Sequence, residues 1–97
     1  MALAQGRLGE AYFQQNNYPD AIAALEKAVA LYGRATELNA RFFNMLASAY
    51  IRRDLNDCSL AVPLFEQVLD VTTNELLVAS ANDGLLECRR ATLGSEP

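Results

Sequence analysis

"GRLGEAYFQQNNYPDAIAALEKAVAL", Gly6 to Leu31, places the small residues Gly9, Ala21 and Ala28 at wide fixed spacings between larger apolar ones. Apolar steps of three and four residues with few β-branched runs give one face of an α-helix, not the alternation of a strand. The stretch breaks at Asn16-Asn17, and Pro19 suits a first helical turn, where a missing N–H costs nothing. Two helices are therefore expected here, about Ala2 to Gln15 and Pro19 to Tyr32, with Gly33 as the C-terminal stop.

The same arithmetic continues downstream. A third helix is expected over about Thr36 to Arg53, followed by the polar loop Asp54-Leu55-Asn56-Asp57. Asp57 or Ser59 can cap a fourth helix, in which Pro63 must lie in or just beyond the first turn. After Thr72-Thr73-Asn74 a fifth helix runs to about Arg90, and Thr92 to Pro97 reads as a frayed tail. The fold class is all-α, with about five antiparallel helices.

The opening pattern returns. Leu8-Gly9-x-x-Tyr12 followed by Ala21-x-x-x-Leu25-x-x-Ala28 is echoed by Leu46-Ala47-x-x-Tyr50 and then Ala61-x-x-x-Phe65-x-x-Val68. On these residues the chain resembles the tetratricopeptide repeat family, whose pattern is W-x2-L-G-x2-Y, A-x3-F and a closing P. The resemblance implies an α-α superhelix forming a single domain over residues 1–91. Repeat one would cover 1–33, repeat two 36–73 and a terminal helix 75–91, with 92–97 as tail. Gly9, Ala21, Ala47 and Ala61 are placed for close helix approach, and Tyr12, Tyr50, Leu25 and Phe65 for filling the space beside it. Departures from the family pattern are Gln5 for the usual Trp, Gly33 and Thr73 for the closing Pro, and a first step longer than the family period.

Composition narrows the function. The 97 residues make one small domain, and 52% hydrophobic content is enough for a core. A net charge of -4, one lysine and no basic run beyond two residues are the wrong electrostatics for phosphate, so nucleic acid is not an expected partner. No apolar stretch reaches the roughly 20 residues that cross a bilayer, so no membrane insertion is expected. Met1-Ala2-Leu3-Ala4 lacks the features of a secretory signal, which suits a cytosolic chain, a mature form or an excised fragment. Histidine is absent, removing the commonest general base and zinc ligand, and two cysteines cannot alone complete a metal site. No catalytic residue, metal or cofactor is expected, and the chain is not expected to be an enzyme.

Cys58 and Cys88 each lie 15 residues from a turn at about Thr73, so an antiparallel hairpin sets them side by side. The functional reading is a disulfide worth roughly 3–4 kcal/mol by loop-entropy estimates. It favours an extracytoplasmic or secreted setting, whereas two buried thiols packing as small hydrophobes favour the cytoplasm.

The family resemblance also implies a concave groove lined by first helices. By position it would comprise Glu10, Phe13 and Gln14 with Asn44, Ser48, Ile51 and Arg52, accepting an extended peptide or a protein surface. The alternative is an ordinary solvated face. The carboxylate-clamping mode of some members is not supported, because Gly6, Glu10 and Gln14 stand at the matching places. Arg52-Arg53 and Arg89-Arg90 are expected in final helical turns, offsetting the helix dipole. Gly84 is expected to serve close packing. Leu3 and Ala4 at the front and Leu76 and Leu86 at the back have no neighbour to cover them. Either a longer chain continues there, or copies stack end to end into a filament or other homo-oligomer.

Overall fold

The computed structural model describes residues 1–94, with side chains to Ala91. Five α-helices follow one another: α1 (Ala2–Gln14), α2 (Tyr18–Tyr32), α3 (Ala40–Arg53), α4 (Cys58–Val71) and α5 (Glu75–Gly94). Pairs α1/α2 and α3/α4 form hairpins, and α5 packs against both α3 and α4. Glu37 and Thr73, like Asn44 and Ser80, meet across a sequence offset of 36, so α3 and α5 run side by side in the same direction.

Local chemistry sets the boundaries. Asn16 adopts φ +60, which asparagine tolerates, and Asn17 then caps α2, its side-chain oxygen accepting from the Asp20 N–H. Gly33 ends α2 at φ +83. The third helix starts at Ala40, four residues later than the expected Thr36. The buried amide of Asn39 is responsible: its Oδ1 accepts from the Thr36 N–H at 2.6 Å, and its Nδ2 donates to the Arg34 carbonyl at 3.1 Å. Those groups hold a loop that Gln67 also braces, accepting from the Ala35 N–H at 3.1 Å. Local side-chain bonds have outcompeted one helical turn.

Asp57 stands at the N-cap of α4, yet its carboxylate bonds Arg53 at 2.6 Å and makes no cap bond. A short 3-10 turn, Leu55–Asp57, precedes it, capped by Asp54. Pro63 sits in the second turn of α4 without ending it, the released carbonyl being that of exposed Ser59. At the other end Asn74 Oδ1 accepts from the Leu76 and Leu77 N–H groups at 3.0 and 3.1 Å, starting α5.

The last helix corrects two expectations. It continues to Gly94, so residues 92–94 are helical and not a frayed tail, while 95–97 lie outside the described residues. Arg89-Arg90 consequently fall before the final turn, which contains no basic residue, whereas Arg52-Arg53 do close α3.

The core is built around small residues. Ala21, Ala47 and Ala61 are fully buried beside Leu25, Phe43, Phe65 and Val68. A Cβ on Gly9 would lie 2.5 Å from Leu25 Cγ, and one on Gly84 would lie 2.2 Å from Phe65 Cζ. Only glycine permits either approach. Gly6 belongs to the same set, with the Phe42 ring where a Cβ would stand at 2.8 Å. Cys58 and Cys88 come together with sulfurs 2.21 Å apart and Cα atoms 5.5 Å apart, tying the start of α4 to α5 as a disulfide. No described helix is long and apolar enough to cross a membrane.

Candidate functional site

The seam between α1 and α3 is closed by the ring of Phe42. Phe42 covers Gly6 and stacks on Tyr32 with ring centroids 6.1 Å apart. Tyr50 is buried, and its hydroxyl donates to the Glu26 carboxylate on α2. Burial raises the Tyr50 phenol above its ordinary range, and the bond to Glu26 with its negative charge adds to the rise.

The next seam, between α3 and α5, has no such ring at the position corresponding to Phe42, which is Leu76. Ala47 and Ala81 are both fully buried and stand 34 residues apart, the length of one family repeat. Aligned on them, α5 carries Leu76, Ser80 and Gly84 where α3 carries Phe42, Leu46 and Tyr50. Phe65 of α4 fills the space against Gly84, while Leu76 stands exposed at the α3–α5 seam, where its α3 counterpart Phe42 is buried. A cleft of about 540 Å³ opens there. Ser48, Ile51 and Arg52 of α3 and Leu55 of the 3-10 turn form one wall. Leu76, Ala79, Ser80, Asp83, Gly84 and Glu87 of α5 form the other.

Among the residues expected in a groove, Ser48, Ile51 and Arg52 line this cleft. Ile51 is 8% exposed and serves as floor, whereas Arg52 is exposed. Asn44 lies behind the cleft in the α3–α5 seam, buried, its Nδ2 donating to Ser80 Oγ at 3.0 Å. Its Oδ1 has no hydrogen-bond partner among the described residues. Phe13 is linked to the cleft through Arg52, whose guanidinium carbon sits 5.8 Å from the ring centroid. Phe13 also meets Tyr18 edge-on at 5.7 Å. Glu10 and Gln14 are not in the cleft wall; Glu10 is half-buried and Gln14 exposed on α1.

The α5 wall was not expected as part of the groove, and Leu76 was expected only as an end-to-end contact. Leu76, Ser80, Asp83 and Glu87 recur at steps of three and four, which marks a single polar face, but nothing in that spacing tells a cleft wall from a solvated surface. Asp83 and Glu87 are exposed, and the ion pair among the described residues joins Arg53 to Asp57 instead. Leu76 belongs to this cleft and is 82% exposed. Leu3 and Ala4 are exposed on α1, and Leu86 is exposed on α5 outside the cleft. A second, more apolar groove of about 340 Å³ lies between α2 and α4, with Val29, Leu60, Pro63 and Leu64 among its walls. No group of three metal-ligating side chains occurs among the described residues.

The repeat geometry has a counterpart in known sequences. The family model described as tetratricopeptide repeat matches residues 1–74, which takes in all of α1 to α4. No curated protein and no solved structure matches the chain significantly. Proteins with such repeats generally mediate protein–protein interaction and are generally non-catalytic. Paired helices meeting at Gly9, Ala21, Ala47 and Ala61, together with a match over most of the sequence, place the chain in the tetratricopeptide repeat family.

Proposed function

We propose that this chain is a non-catalytic interaction module that holds an extended peptide or protein segment in the α3–α5 cleft, with Phe13 and Arg52 extending the surface toward α1. The reading rests on one observation above the others: a cleft of about 540 Å³ stands open between α3 and α5, with Leu76 exposed where its α3 counterpart Phe42 is buried over Gly6 of α1. Ser48 and Ser80 supply hydroxyls for the main chain of a bound segment, and Ile51 supplies an apolar floor.

Random-peptide display against the disulfide-bonded protein provides the test, with Ala79→Trp as control. Ala79 is exposed in the cleft wall, so an indole there fills the cleft and leaves the core alone. Selected peptides should bind the parent protein and lose at least tenfold in affinity on the variant. Peptides that bind both equally, or a selection that yields none, would refute the cleft as the docking site.

A second reading has its own support. Leu3 at 45% and Leu86 at 43% exposure leave apolar side chains uncovered on the first and last helices. Front-to-back stacking of copies would cover them, and such a heterologous contact builds filaments or rings.

A further inference from the structure

The two walls of the α3–α5 cleft differ in charge. Asp83 and Glu87 stand one helical turn apart on α5, and both face the cleft. Neither makes an ion pair or a hydrogen bond among the described residues. The nearest cation on the opposite wall, Arg52, is drawn over the Phe13 ring on α1. The α5 wall therefore carries two carboxylates that are not ion-paired, with Arg52 across the cleft and Arg90 one turn beyond Glu87 as the cations around them, in a chain at net charge -4. Beside it the cleft offers exposed apolar surface, with Leu76 at 82% and Leu55 at 48% exposure.

Resting on the reading of this cleft as a docking site, we infer that its occupant is an extended segment in which a large apolar side chain is flanked by lysine or arginine. The apolar side chain enters the open seam against Leu76 and Ile51. The cation meets Asp83 and Glu87, where opposite charge is favoured and an acidic segment is repelled. Both carboxylates are solvent-exposed, so their contribution is moderate and screened by salt.

Fluorescence anisotropy with defined probes tests the inference on the intact disulfide-bonded protein. The probes are short labelled peptides with one central Phe, flanked by Lys, by Gln or by Glu. The Lys peptide should bind roughly five- to tenfold tighter than the Gln peptide, the Glu peptide should bind weakest, and added salt should narrow the gap. The double variant Asp83→Asn, Glu87→Gln should abolish the ranking and leave the Gln peptide unchanged. A ranking that survives in the double variant would assign the preference to the overall negative charge and overturn the inference. So would equal binding of the three peptides, sensitive to Ala79→Trp; in that case the cleft reading stands and its charge selectivity falls. Binding insensitive to Ala79→Trp, or no binding by any probe, would overturn both.

Discussion

The ring of Phe65 lies against the bare Cα of Gly84, so close that a methyl group there would sit 2.2 Å from Cζ. Phe65 is fully buried and cannot swing away. Gly84→Ala gains about 1 kcal/mol of helix propensity but forces overpacking that typically costs 1–3 kcal/mol. With the buried ring unable to yield, the cost falls in the upper part of that range, and a net loss of about 1–2 kcal/mol is expected in urea unfolding. Gly9→Ala should cost more, because its new methyl also presses the Leu25 backbone nitrogen at 3.2 Å, which no rotamer change relieves. Equal or greater stability in either variant would contradict the packing described.

The Cys58–Cys88 bond closes a sequence separation of 30. Reduction should lower unfolding free energy by about 3–4 kcal/mol on the loop-entropy estimate. The loss should concentrate in α5, which has α3 and α4 as its neighbours but no helix on its far side among the described residues. Hydrogen exchange before and after reduction is the check: amides of α5 should lose protection first, while those of α1 and α2 keep theirs. Uniform loss across the chain would contradict this.

Tyr50 gives the fold an alkaline limit. Its phenol titrates above the ordinary value in the folded state, chiefly through burial and then through Glu26. The unfolded chain thus releases this proton first, near pH 10 or about there, and stability falls as pH rises beyond that point. Tyr50→Phe should flatten the fall while altering stability at neutral pH by about 1 kcal/mol, since Glu26 is exposed and regains water. Denaturant midpoints across the alkaline range decide the matter. Identical slopes in both proteins would rule the mechanism out.

If copies stack through α1 and α5, Leu86→Glu should lower the sedimentation coefficient at high concentration without changing helicity. Leu86 is exposed, so the fold does not depend on it. A parent protein that sediments as a monomer at every concentration would eliminate stacking.

Much of this architecture is visible in the sequence because small residues at fixed spacing leave few ways to pair helices. Gly9, Ala21, Ala47 and Ala61 all lie inside, as their positions require. The start of α3 was hidden because Asn39 acts through its side chain, which periodicity does not register. Gly6 escaped for a related reason: its partner Phe42 is 36 residues away, and the only local hint is a second helix-disfavoured glycine one turn before Gly9. Half of the cleft was legible from α3. The α5 half was not, because Leu76, Ser80, Asp83 and Glu87 read as an ordinary solvated face until α3 is seen to run beside them.

Gly33 carries a chemical consequence of its own. It leaves α2 at φ +83 and ψ −44, with nothing within 4 Å of where a side chain would begin. These angles mirror the neighbourhood of the inverse γ-turn, a comfortable place for a residue of ordinary handedness. A residue of opposite chirality is therefore at ease here: D-alanine in place of Gly33 should stabilise a synthetic chain by about 0.4–1 kcal/mol, whereas L-alanine should weaken it. The end of the second helix is a position where the protein favours the enantiomer that ribosomes do not supply.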